Sequence, residues 1–276
     1  MKTTAIVVSY NSARDLPMSL GSLRELPIAD VVVVDNSSSD DSVEVAERYT
    51  PHVIRSSNVG FGKAINTAAE AFPHAEAYLL LNPDAALTPE AYAELARVLS
   101  ADPGIGVVAP QMRYADGEPG ISAGPDVSML KEWLAALRVD HLVPGRVKRA
   151  LARSRLLRGR IAMLDYLDQG GSAADTDVAW VSGFCMLVRG DAFRAVNGFD
   201  PSFFLYFEDV DLCKRLRAAG WRVVSVGNAW AMHRESTSTS AVGKNRLYRS
   251  GLVTYCDKYG TAVDRFLARA LRRLPL

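Results

Sequence analysis

Short apolar runs rich in β-branched residues alternate with stretches of helical periodicity in the N-terminal part of the chain. Residues 4–8 read as a buried strand, followed by a helix over about 12–23. Residues 31–34 are wholly apolar, as expected of a parallel strand covered on both faces. A helix over about 41–49, a strand at 52–55, a helix over about 62–71 and a strand at 78–81 continue the alternation. Thr88-Pro89 reads as an N-cap with proline at the first helical position, opening a helix to about residue 99. This pattern predicts an α/β fold with an open, mostly parallel sheet flanked by helices. In such sheets ligands bind outside the carboxyl ends of the strands.

From 113 to 177 the pattern changes. A Gly/Pro-rich loop leads into a helical stretch and the basic segment RVKRALARSRLLRGR, which predicts a helical insertion. After Gly170, Gly171 and Ser172, residues 178–188 read as one strong strand. FDPSFFLYFEDVDLCKRLRAAGW follows as a loop entering a helix, then a strand over 222–232. The tail from about Lys244 reads as two helices.

The strand ends carry the candidate chemistry. The first ends in Ser9-Tyr10-Asn11, the second in Asp35-Asn36-Ser37-Ser38-Ser39-Asp40, and the 78–81 strand in Asn82-Pro83-Asp84. Taken singly, each is an ordinary turn or helix cap. Together they bring short polar and anionic side chains to one sheet edge. Asp84, held by the preceding proline, suits a hard divalent cation bound by few protein ligands.

Three further segments stand out. NVGFGKAIN, from Asn58 to Asn66, resembles a phosphate loop but fails the Walker pattern, with Ser57 and Ala64 at the defining positions. It could still receive a nucleotide through its backbone amides. Glu208 and Asp209 follow a run of aromatics at a helix start. Spacing alone favours helix capping there, with a general base as the functional alternative. Asp211 and Arg215 read as a helix-surface ion pair. His233, after the 222–232 strand, is a lone imidazole at an opening sheet edge and suits a manganese ligand.

IVVSYNS, VVVVDNSSSD, SNVGFGKAIN, LLLNPDA, WVSGFCMLVR, GFDPSFFLYFEDVDLCKRLRAAGW and the later histidine, in this order, resemble the family 2 inverting glycosyltransferases of the GT-A fold. The likeness runs from residue 6 to about 240, and is nearest the bacterial rhamnosyltransferase-like branch that builds cell-wall and surface polysaccharides. It implies a glycosyltransferase domain over 1–240, with a nucleotide-binding half (1–112), a helical and basic insertion (113–177) and an acceptor and catalytic half (178–240). A helical tail (241–276) follows. Asp35 would bind the pyrimidine edge, with Ser9, Asn11 and Asn36 around the nucleotide. Asn58, Lys63 and Asn66 would support the nucleotide or its phosphates.

The same resemblance makes Asp84 the metal-binding end of an Asp-x-Asp motif whose first aspartate is here Asn82. His233 would complete the metal or diphosphate site. Trp180, Ser182 and Gly183 would form the loop under the transferred sugar. Asp209 would be the catalytic base, supported by Glu208. The implied cofactor is Mg2+ or Mn2+. The implied donor is a dTDP- or UDP-linked sugar, with dTDP-rhamnose foremost, and the acceptor a glycan or a lipid-linked molecule.

Composition adds little to this. A net charge of +1 supplies no field that would favour nucleic acid. Cys185, Cys213 and Cys256 are scattered, and the N-terminus turns polar too soon for a signal peptide. With no apolar run long enough for a bilayer, these features predict a cytoplasmic protein. The basic residues of 146–160 and 265–276 interleave with leucines. They read either as solvated helix faces or as patches for an anionic membrane surface or polysaccharide, the membrane option placing the chain on the inner face of the plasma membrane. Two rival classes stay open. A nucleotidyltransferase would carry a Gly-rich, Arg-containing loop where SYNSARD stands. A non-catalytic sugar-binding module would not need Asp84, Asp209 and His233 together.

Overall fold

The computed structural model describes residues 1–129, 132–133, 174–234 and 241–274, the side chains of 241–244 excepted. The expected helical stretch falls largely outside these residues, and the basic segment 146–160 entirely so. The strands are β1 (Thr3–Ser9), β2 (Asp30–Asp35), β3 (His52–Arg55), β4 (Ala77–Leu81), β5 (Ala85–Leu87), β6 (Ile105–Tyr114), β7 (Pro119–Gly120), β8 (Ala123–Gly124), β9 (Thr176–Asp177), β10 (Trp180–Val181), β11 (Cys185–Arg189) and β12 (Arg222–His233). The helices are α1 (Leu16–Leu23), α2 (Ser42–Glu47), α3 (Phe61–Ala71), α4 (Pro89–Ala101), α5 (Gly190–Ala195), α6 (Glu208–Ala218), α7 (Ala241–Tyr259) and α8 (Ala262–Arg273).

The main sheet runs β3-β2-β1-β4-β11-β6-β12-β5. The first four strands are parallel, as is the β6–β12 pair, whereas β11 and β5 run against their neighbours. The sheet is therefore mostly parallel, as the alternation predicts. Both of its faces are covered. Leu16, Leu20 and Leu95 pack on one side and Ile65, Ala68 and Leu216 on the other, which is why β1, β2 and β4 can be apolar at nearly every position. Thr88 caps α4 by accepting from the Ala91 amide, with Pro89 in its first turn, as expected.

Three expectations need correction. The helix expected from residue 12 starts at Leu16, because the Ser12 carbonyl closes a turn by accepting from Asp15 N and Leu16 N. Residues 178–188 are not one strand. Ser182 N donates to the Ser122 carbonyl and Gly183 N to the Asp209 carboxylate, so both amides leave the ladder and divide the segment into β10 and β11. The Asp211–Arg215 pair is not on the surface. Asp211 is fully buried and accepts from Arg215 Nε at 2.7 Å, Lys258 Nζ at 2.6 Å and Tyr259 Oη at 2.7 Å.

The long strand β6 has no counterpart among the predicted elements. Gly106 and Pro110 interrupt its apolar run, and Pro110 is tolerated where β12 bulges between Val226 and Trp230. A third apolar cluster joins Phe203 and Phe207, before α6, to Leu252, Tyr255 and Cys256 of α7 and to Ala268 and Leu271 of α8. The Asp211–Lys258 contact is the polar seam of this cluster. Burial opposes the Lys258 ammonium, but its bonds to Asp200 and Asp211 outweigh that and raise its pKa.

Removing one partner of a buried ion pair leaves a desolvated charge. Lys258→Met is expected to lower stability by about 3 kcal/mol, towards the low end because Arg215 and Tyr259 still serve Asp211. Urea denaturation followed by circular dichroism measures it. A loss within the surface range of ±0.5 kcal/mol would show that the seam is unimportant.

Candidate active site

The carboxyl ends of β1, β2 and β4 lie along one edge of the sheet. There they meet the start of the reversed strand β11, where Cys185 pairs with Leu81, and the end of β12, where His233 pairs with Ala85. A cleft of about 440 Å³ opens at this edge. Its walls include Tyr10, Ser12, Asn36, Asn58, Asn82 and Asp84 from the N-terminal strands and loops. From the C-terminal part they include Ser182, Gly183, Glu208, Asp209 and His233.

Asp209 is positioned by backbone. Its Oδ2 accepts from Gly183 N at 2.9 Å and its Oδ1 from Val210 N at 2.8 Å. Burial raises its pKa, against these two bonds, which favour the charged form. Glu208 is only 4% exposed, and its Oε2 has no hydrogen-bond partner among the described residues. Burial first, and the adjacent Asp209 charge second, push its carboxyl up to about 8. Two adjacent buried carboxyls resist ionising together, and the two amide donors favour the anion on Asp209.

The entry into this helix is strained. Tyr206 and Phe207 both take left-handed backbone, at φ 68° and 69°, which bulky side chains rarely adopt. Two glycines hold the segment from opposite sides. Gly60 has φ +93°, and a Cβ there would stand 2.4 Å from the Phe204 carbonyl, which accepts from Phe61 N at 2.9 Å. Gly251 of α7 approaches so closely that a Cβ would lie 2.4 Å from the Tyr206 carbonyl. Gly60, Tyr10 and Phe204 lie within the motifs of the family likeness but are not among the candidate residues, and Gly251 and Leu247 lie outside every motif. The positive φ of Gly60 is hinted at only by its place before a helix.

Asp84 and His233 form the second polar centre. Asp84 is 4% exposed, and its Oδ1 lies 3.2 Å from His233 Nε2. The His233 ring packs on Phe184 with centroids 5.3 Å apart, and its buried Nδ1 has no partner among the described residues. Asp15, a residue not singled out in the sequence, stands close enough for the Asp84 charge to add to burial in raising its pKa. Arg234, 3.6 Å away, works against both. Asp84 Oδ1 and His233 Nε2, facing each other at 3.2 Å, are donors of the kind that suit a hard divalent cation. Among the described residues no group of three or more His, Cys, Asp or Glu is arranged to hold a metal. Asp84 and His233 would therefore be its protein ligands, with the remaining positions left to ligand oxygens and water.

The other residues divide. Asn36, Asn58, Asn82, Ser182 and Gly183 line the cleft. Asn36 Oδ1, although buried, has no partner among the described residues, and neither has Ser9 Oγ at the end of β1. Ser9 and five others do not line the cleft. Asp35 accepts from Ser38 N and Oγ at 3.0 and 2.5 Å. Asn11 holds Ser39 through its Oδ1, bracing the β2–α2 loop. Asn66 clamps Phe199 by a reciprocal pair of 2.8 Å bonds. Trp180 donates to the Pro125 carbonyl at 2.8 Å. Lys63 is exposed on the first turn of α3.

Residues 4–160 match Glycosyl transferase family 2, and residues 150–273 match Glycosyl transferase family group 2. N-acetylglucosaminyl-diphospho-decaprenol L-rhamnosyltransferase of Mycobacterium tuberculosis is 29% identical over 250 residues, covering 85% of this chain and 76% of its own. Rhamnosyltransferase WbbL of Escherichia coli is 50% identical over 60 residues, 22% of this chain and 23% of its own. Among solved structures, the mannosyltransferase PcManGT from Pyrobaculum calidifontis, in complex with GDP-Man and Mn2+, aligns with TM-score 0.60 and 15% identity over 98% of this chain and 73% of that one. S. aureus TarS 1-349 aligns with TM-score 0.55 and 16% identity over 99% and 69%. At such identities the structural likeness concerns the fold.

The Glu208 pKa has a consequence for stability. A carboxyl whose folded pKa is raised binds its proton more tightly folded than unfolded. Its stabilisation is complete below about pH 4 and is lost as pH rises towards 8. Glu208→Gln, neutral throughout, escapes that loss. Thermal melts at pH 5 and pH 9 are expected to show the variant gaining on the wild type at the higher pH by about 1 kcal/mol or more. Parallel pH profiles for the two proteins would mean that Glu208 ionises freely.

Proposed function

On the premise that the chain belongs to glycosyl transferase family 2 and is a glycosyltransferase of the GT-A fold, we propose that it moves a sugar from a nucleotide diphosphate to an acceptor hydroxyl with inversion, Asp209 acting as base. One observation carries the reading. A carboxylate fixed by two backbone amides shares a cleft with the Asp84–His233 centre and with buried polar atoms that have no partner among the described residues. Asn36 and Asn58 would receive the nucleotide on the cleft's N-terminal side, and Ser182 and Gly183 would lie beneath the sugar. A Mg2+ or Mn2+ ion at Asp84 and His233 would supply charge neutralisation for the leaving diphosphate. Asp209 takes the acceptor proton as the acceptor oxygen attacks the anomeric carbon from the face opposite the leaving group. A single displacement needs no protein nucleophile, and the raised pKa of Glu208 leaves the amide-held Asp209 as the carboxylate that receives the proton.

The donor we propose is dTDP-rhamnose. The support is the pair of relatives named as rhamnosyltransferases, one of them acting on a diphospho-decaprenol. By the same likeness the acceptor is a lipid-linked glycan in cell-wall or surface polysaccharide assembly.

Nucleoside diphosphate release from a panel of dTDP-, UDP- and GDP-sugars with Mn2+ tests the reading. dTDP-rhamnose is expected to be hydrolysed slowly without acceptor. With the acceptor, Asp209→Asn should lower kcat by about 10²–10⁴-fold, with donor affinity retained. Asp84→Ala should weaken the response to Mn2+. Binding of donors with no turnover in the presence of lipid-linked acceptors would favour a binding module. Pyrophosphate in place of nucleoside diphosphate would make the chain a nucleotidyltransferase.

A further inference from the structure

Helix α8 has two sides of different character. Leu267, Ala268, Leu271 and Leu274 turn into the third apolar cluster against α7. On the outer side, Phe266 is 71% exposed and Val263 64%, the two most exposed large apolar side chains among the described residues. Arg269 and Arg273 follow Phe266 at i+3 and i+7 and so share its stripe. Arg265 and Arg272 flank it. The only acid of this helix, Asp264, is committed to the capping box with Thr261. Arg269 pairs with Asp257 of α7 at 2.8 Å, which leaves Arg265, Arg272 and Arg273 to make α8 locally cationic in a chain whose net charge is +1.

We propose that this outer stripe lies in the headgroup region of an anionic bilayer and turns the α7 side of the cleft towards the membrane. An aromatic anchor among arginines is the composition of an interfacial helix, apolar groups entering the acyl boundary while guanidinium groups stay with lipid phosphates. A second copy of the chain suits the face less well. Two protruding apolar side chains fall far short of the roughly 800 Å² per partner of a standard interface, and the arginines of two copies would repel. No helix among the described residues is long and apolar enough to cross a membrane, so the contact lies in the plane of the surface. The orientation follows from packing. α8 is seated on α7, and α7 contributes Leu247 to the cleft and contacts the Tyr206 carbonyl through Gly251. This orientation, unlike the anchor itself, rests on the transferase reading with an acceptor carried by the bilayer.

Vesicle flotation of the full chain tests the anchor. The protein is expected to float with phosphatidylglycerol-containing vesicles, to remain free of pure phosphatidylcholine vesicles, and to be released by high salt. Phe266→Glu should reduce partitioning by at least about tenfold. The double substitution Arg272→Gln, Arg273→Gln should reduce it by about thirtyfold, some fivefold for each charge removed. Both variants should retain wild-type melting behaviour and donor hydrolysis in solution, since neither touches the cleft. Anionic-vesicle binding that survives both substitutions would place the anchor elsewhere. Absence of wild-type binding to any vesicle would overturn the proposal, as would a dimer that Phe266→Glu converts to monomer. Donor hydrolysis is read without vesicles, so failure of the transferase reading is distinguishable from failure of the anchor.

Discussion

The site depends on forcing an aromatic chain segment through a conformation it would not choose. Tyr206 and Phe207 are consecutive left-handed residues, each of a kind that costs about 1–3 kcal/mol, and they deliver the chain into α6 with Glu208 and Asp209 in its first turn. Such strain persists only where the surroundings over-determine it. Here Gly60 and the Phe61 amide, at the start of α3, hold Phe204, while Gly251 and the rings of Tyr248 and Tyr255 hold Tyr206 and Phe207 from the tail. The Asp211–Lys258 contact ties the next turn of α6 to the same tail helix. The C-terminal helices are therefore part of the frame that holds this segment. Their loss would free the acids as surely as a change in the sheet.

The sheet was largely legible in the sequence because its driving force is local and periodic. Wholly apolar runs at β1, β2 and β4 admit little but buried parallel strands, and their polar ends fall where such sheets bind ligands. What stayed hidden depended on partners distant in the chain. β6 carries Gly106 and Pro110, and only a bulge in β12, more than a hundred positions on, makes the proline acceptable. The run 178–188 has strand propensity throughout, yet two of its amides answer to Ser122 and Asp209 instead of to a ladder. Asp211 and Arg215 have surface-pair spacing, and nothing nearby in sequence announces that Lys258 and Tyr259 bury them.

The candidate residues divide by the same logic. Asp84, Glu208, Asp209 and His233 stand on strand and helix ends whose positions periodicity fixes, and the fold brings them to one cleft. Asn66 and Trp180 belong to segments of the same family likeness, yet their polar atoms are occupied by Phe199 and Pro125. A motif position marks that a side chain matters to the site. It does not distinguish contact with a ligand from holding the wall in place. Gly60, Gly251 and Asp15 show the converse, since their importance is a matter of close approach that a one-dimensional pattern does not carry.

Two opposing influences on Asp209 set what it can do. Its amide bonds and its place at a helix N-terminus favour the anion, and alone would leave a weak base of depressed pKa. Burial works the other way and prevails, raising the pKa. Glu208 takes up the cost of placing two carboxyls side by side. It is more deeply buried, its Oε2 meets no donor among the described residues, and the Asp209 charge adds to burial in raising its pKa to about 8. Two carboxyls so placed resist ionising together, and the one held by backbone amides is the one whose anion the fold favours.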